Sequence, residues 1–129
     1  MDLGKILRKT TGLERRRHRR YKNVDGVRVE FQNENIKTVS NKTCRDLSIS
    51  GIRFLPGVEL IKKEVLDMVL TLPDSYPGPK KVVLQAQVVE MCRPSRMGDA
   101  RARCKFVNMK PEVTEHIHNF LEWIGSLET

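Results

Sequence analysis

Two short segments carry side chains whose types and spacing suit contact with phosphate and with a flat nitrogenous ring. The first is Glu14-Arg15-Arg16-Arg17-His18-Arg19-Arg20-Tyr21, in which six consecutive positions are basic in type and five of the six are arginine. A guanidinium is a planar fork that grips phosphate through two parallel hydrogen bonds, pairs with guanine O6 and N7, and stacks on a base face. Lysine would serve a merely positive tail as well. A solvated tail accounts for such a run taken alone. This run, however, abuts a predicted strand and ends on Tyr21, a side chain that usually packs. The second segment is Arg45-Asp46-Leu47-Ser48-Ile49-Ser50-Gly51. As a plain turn, Asp46 and Ser48 would cap backbone N–H groups and Gly51 would take a positive φ. As a recognition element, the Asp46 carboxylate would accept hydrogen bonds from guanine N1–H and the N2 amino group. Ser48 would add a hydroxyl, and Gly51 would let backbone approach a flat ligand. Both readings fit the residues.

The location of the charge favours a compact anionic partner. Of the net +8, residues 1–22 hold nine Lys or Arg against Asp2 and Glu14, giving +7, while the other 107 residues come to +1. A protein that wraps nucleic acid spreads its basic residues over several elements. A single cluster suits a small anionic ligand, a polyanion clamp or an anionic surface. Aromatics at 5% leave few platforms for single-stranded bases. Cys44, Cys92 and Cys104 have no CxxC spacing, so neither a zinc site nor a disulfide framework is expected, and both Cys92 and Cys104 are expected to be buried thiols. His116 and His118, two apart on a helix, point to different faces and cannot share a metal. There is no nucleophile elbow, phosphate-cradling glycine loop or paired-acid motif, so catalysis is not expected. No apolar run reaches the roughly 20 residues of a membrane span, and Met1 to Lys9 does not read as a secretory signal. A reduced cytoplasmic setting is the expectation.

The elements that must position these segments follow from periodicity. Val24 to Phe31 alternates, with Val27, Val29 and Phe31 on one face. Ile36 to Ser40 and Lys42 to Asp46 read as extended pieces interrupted at Asn41. Gly51 to Leu55 is a short strand ended by Pro56-Gly57, Val65 to Leu72 another, and residues 73–79 a proline-rich loop. Lys81 to Met91 places Val82, Leu84, Ala86 and Val88 together. Arg101 to Val107 turns Ala102, Cys104 and Phe106 inward and Arg101, Arg103 and Lys105 outward. Pro111-Glu112 starts a helix of about three turns with Val113, Ile117, Phe120, Leu121 and Ile124 on one face and Trp123 packed or facing a partner. Five or six short strands and a terminal helix predict an all-β antiparallel barrel or sandwich capped by that helix.

The two segments in this order resemble the PilZ family, marked by RxxxR before a barrel and [D/N]xSxxG some tens of residues later. Arg16 to Arg20 fits the first motif, Glu14-Arg15-Arg16 aligning with the Glu-Arg-Arg that often opens it, and Asp46 to Gly51 fits the second. The similarity covers roughly residues 14–125, so residues 1–13 read as an extension and 14–129 as the domain, helix included. The resemblance implies a six-stranded antiparallel β-barrel with a C-terminal helix. It implies a non-catalytic receptor for cyclic di-GMP, with no cofactor, in which Arg16 and Arg20 grip phosphate and guanine, Asp46 and Ser48 read a guanine edge and Gly51 serves backbone geometry. Arg15, directly before RxxxR, implies two ligand molecules per chain. The arginine segment would order over the barrel and signal to a protein effector. A degenerate adaptor without ligand and a basic-arm nucleic-acid binder are the alternatives. Where many family members have an aromatic near the end of the long strand, this chain has Glu90 or Met91.

Overall fold

A computed structural model describes residues 21–22, 26–92 and 100–127. Its strands are β1 (Tyr21–Lys22), β2 (Arg28–Asn33), β3 (Ile36–Leu47), β4 (Gly51–Phe54), β5 (Val65–Thr71), β6 (Lys81–Cys92) and β7 (Arg101–Val107), followed by α1 (Pro111–Leu127). The order β3-β2-β5-β6-β7-β4 closes through a β3–β4 pairing, so six antiparallel strands form a barrel and β1 adds to β3 beside β2. Closure removes the open sheet edges that would otherwise invite pairing with other chains.

Alternation along each strand fills the interior. Val29 and Phe31, then Leu66, Met68 and Leu70, then Val82, Leu84, Ala86 and Val88, then Ala102 and Cys104 are buried, as the period of two requires. Phe31 meets Phe54 edge-on across the barrel, ring centroids 5.3 Å apart. Phe106 is half-buried against this core. The expected break at Asn41 does not occur. Asn41 takes φ 60°, and β3 runs through it as one 12-residue strand. The pairing advances three residues on β3 (Val39 to Lys42) against two on β2 (Phe31 to Val29), so a bulge absorbs the left-handed residue.

Helix α1 covers the core with Ile117, Phe120 and Leu121. It starts at Pro111 as expected and, at 17 residues, is longer than the expected three turns, running past Ile124 to Leu127. Tyr76, on the loop after β5, packs edge-on against Phe120 and Trp123 at 5.1 and 5.3 Å between ring centroids. Lys80 Nζ donates to the carbonyls of Tyr76 and Gly78 and folds that loop onto itself. Cys44 and Cys104 are buried, whereas Cys92, expected inside, is exposed: it is the last residue of β6, past the point where the barrel has a core to fill.

Candidate functional site

Asp46 owes its position to an irregularity in β3. The β3–β4 ladder shifts register between Cys44↔Phe54 and Asp46↔Arg53. The extra residue lets Cys44 and Leu47, three apart, both face the core, and it turns Asp46 to the outer face with Arg53. Asp46 is only 7% exposed, flanked by β1 through Lys22↔Asp46 and by β4 on its other side. A buried carboxylate needs a partner, and Arg53 Nη1 lies 3.3 Å from Asp46 Oδ2. Burial, and then the Asp46 charge, push the Cys44 thiol up to about 12.

Ser48 builds the turn from β3 to β4. Its Oγ accepts hydrogen bonds from the N–H groups of Ser50 and Gly51, each at 3.2 Å, while its own N–H donates to the Gly51 carbonyl at 3.0 Å. Gly51 is glycine for a reason other than the positive φ expected of it. It pairs with Lys105 on β7, and a Cβ there would collide with the carbonyl oxygen of Cys104. The absent side chain lets β4 close against β7, and positive φ among the described glycines falls at Gly26 and Gly57.

A second bulge acts from the opposite side. The β6–β7 register shifts between Val88 and Glu90, which sets Glu90 opposite Arg103 on the outer face. Arg103 donates from Nε and Nη2 to Glu90 Oε1 at 3.1 and 3.0 Å. Those hydrogen bonds, then the Arg103 charge, hold the Glu90 carboxyl below its ordinary range; a hydrogen bond from Cys92 and the charge of Arg53 also lower it, against a small opposing effect of burial. Cross-strand pairs therefore align four charges as Asp46 on β3, Arg53 on β4, Arg103 on β7 and Glu90 on β6. A cavity of about 90 Å³ opens on this row, lined among others by Asp46, Ser48, Gly51, Arg53, Arg103 and Lys105. Pockets that engulf a ligand run to roughly 300–1,000 Å³, so this one can grip the edge of a ligand and not enclose a dinucleotide. A larger groove of about 590 Å³, between the outer face of β6 and the start of α1, contains none of the candidate residues.

A family model for the PilZ domain matches residues 14–123. The chain belongs to the PilZ family. No curated protein matches it. Among solved structures it is similar to Escherichia coli YcgR in complex with c-di-GMP, at 17% identity and a TM-score of 0.73, covering 89% of this chain and 48% of that one. It is also similar to the separate PilZ domain of E. coli YcgR with c-di-GMP, at 16% identity and a TM-score of 0.66, covering 81% and 86%. The K. pneumonia MrkH–c-di-GMP complex matches at 15% identity and a TM-score of 0.71, covering 88% and 54%. The chain thus spans about half the length of YcgR and of MrkH. These likenesses bear out the six-stranded antiparallel barrel with its C-terminal helix.

In this PilZ domain, Asp46, Ser48 and Gly51 converge on one cavity. Arg15, Arg16 and Arg20 lie outside the described residues. Glu90, at the position compared with an aromatic, is outward and paired with Arg103, while Met91 is half-buried against the core. Nothing in the sequence pattern marks Arg53, Arg103 or Lys105 as members of the site, and Glu90 stands out there only in place of an aromatic. Alternation had marked Arg103 and Lys105 as outward, but neither partner could be assigned without the register. Among the described residues no cluster of His, Cys, Asp and Glu could hold a metal, and no helix is long and apolar enough to cross a membrane.

Proposed function

We infer that this PilZ domain is a non-catalytic receptor for cyclic di-GMP, bound through Arg15, Arg16, Arg20, Asp46, Ser48 and Gly51. The observation that carries the reading is the pairing of β1 with the end of β3, Tyr21↔Leu47 and Lys22↔Asp46. The short strand that directly follows the arginine run in sequence thereby lies beside the start of the Asp-x-Ser-x-x-Gly segment. Family membership and three neighbours solved with c-di-GMP support the same ligand. Arg53, Arg103 and Lys105 add positive charge to the cavity wall, where a phosphate diester would sit.

In this reading residues 1–13 are an extension and 14–129 the ligand-binding unit. The segment ahead of β1 orders over the occupied face and presents it to a protein effector in the cytoplasm. Arg15 supplies a guanidinium for a second ligand molecule, whose phosphates and guanine faces need extra counter-charge and stacking surface. Calorimetry with cyclic di-GMP, cyclic di-AMP, GMP, GTP and a short DNA duplex, together with native mass spectrometry, tests the ligand, its specificity and its stoichiometry. Cyclic di-GMP should bind far more tightly than the others, because adenine presents an acceptor where guanine presents N1–H to Asp46. Two ligands per chain are expected at saturation, falling toward one in Arg15→Leu. Equal affinity for the adenine dinucleotide would remove the guanine-reading role of Asp46, no binding at all would leave an adaptor, and preference for the duplex would make this a nucleic-acid binder.

A further inference from the structure

Arg53 and Arg103 stand directly opposite each other across β4 and β7. Like charges at opposed cross-strand positions repel, and each arginine is offset by a carboxylate on its far side. The two offsets differ in kind. The Asp46 side chain is 10% exposed and forms part of the cavity wall. The Glu90 side chain is 49% exposed and stands outside that wall, although Arg103 belongs to it. Both hydrogen bonds from Arg103 fall on a single Glu90 oxygen, in a place where water competes for them. An ion pair of that exposure is weakly held. Arg53, for its part, has a buried Nε without a hydrogen-bond partner among the described residues. The two guanidinium groups therefore carry donor capacity that the neighbouring carboxylates do not fully use.

We propose that Glu90 is a built-in competitor for the ligand's phosphate. It holds Arg103 beside Arg53 while the cavity is empty and yields it to a phosphate diester when ligand enters. Arg103 is then a ligand-binding residue, and Glu90 a tuning residue that sets the ligand concentration to which the domain responds. Binding must break the Arg103–Glu90 pair and leave a carboxylate close to an arriving anion, and both effects weaken affinity. The inference rests on the cyclic di-GMP reading and deepens it.

The test is a double-mutant cycle on the full chain, titrated with cyclic di-GMP by calorimetry. Glu90→Gln keeps the shape and one hydrogen-bond acceptor but removes the charge, and it should tighten binding roughly two- to fivefold, the worth of an exposed ion pair. Arg103→Gln should weaken binding roughly tenfold or more. In the Arg103→Gln background, Glu90→Gln should tighten binding less than it does in wild type, because only the repulsion between carboxylate and ligand is left to remove. An equal gain in both backgrounds would show that Glu90 does not compete for Arg103 and would overturn the inference. Should Arg103→Gln fail to fold, Arg103→Lys serves in its place, keeping the charge and losing the fork. Binding by wild type that Glu90→Gln leaves unchanged or weakens overturns this inference alone. Binding by Glu90→Gln where wild type shows none supports it strongly. If neither protein binds, the receptor reading falls and the inference with it.

Discussion

Asp46 already has Arg53 at 3.3 Å before any ligand arrives. Its carboxylate therefore has two tasks: it holds Arg53 opposite Arg103, and in the proposed function it reads a guanine edge. Asp46→Ala should lower cyclic di-GMP affinity and also destabilise the fold by about 1–3 kcal/mol, because two facing guanidinium groups lose one of their counter-charges. Arg16→Ala and Arg20→Ala should behave differently. Each should weaken binding by about 1–3 kcal/mol through lost charge-assisted contacts. Neither should move the melting temperature, since in this reading the run serves the ligand and not the core. Calorimetry beside thermal melts separates the two patterns. A melting shift in the arginine variants equal to that of Asp46→Ala would give the run a structural task instead. The chemical types at these positions were legible in the sequence. The partner of Asp46 was not, because Arg53 reaches it only through the register of β4 on β3.

Among the elements, the irregular ladders position the site. A regular β3 would send Asp46 to the other face, and a regular β6 would separate Glu90 from Arg103, since a one-residue slip reverses every side chain. Gly51 clamps the same region by allowing β4 to close on the carbonyl of Cys104. Gly51→Ala should destabilise the barrel by about 1–3 kcal/mol through enforced separation of β4 and β7. It should also speed hydrogen exchange at amides along that ladder, and weaken ligand binding because Arg53 and Arg103 ride on the two strands. Urea unfolding and exchange mass spectrometry check this; unchanged β4 and β7 protection would mean the neighbours give way without cost. The turn was readable from Asp46, Ser48 and Gly51. The reason for its glycine was not, because the atom it must avoid is more than fifty residues away in the chain.

For the molecule as a whole, the barrel encloses two thiols whose ionisation burial opposes. Burial lifts Cys44 and Cys104 from 9.0 to about 12, with the Asp46 charge adding to the effect at Cys44. Their folded values are raised, so the stability tied to keeping them protonated is complete below pH 9.0 and is lost as pH rises toward about 12. Melting temperature should fall between those limits, and less steeply in a Cys44→Ala/Cys104→Ala variant; parallel curves would show that the thiols do not matter there. At neutral pH native alkylation should modify exposed Cys92 and spare the other two until the chain unfolds. What the sequence determined by itself was local: which residues alternate, where Pro and Gly end a strand, which helix face is apolar, and two motifs rich in phosphate- and guanine-binding chemistry. Those follow from near-neighbour sterics and from period, and they were enough for a small barrel with a terminal helix. Tertiary structure decided the pairing. It joined the broken β3 by absorbing Asn41 in a bulge, exposed Cys92 beyond the core, and aligned Asp46, Arg53, Arg103 and Glu90 across four strands. Register depends on contacts between residues far apart in the chain, and no window of sequence contains them.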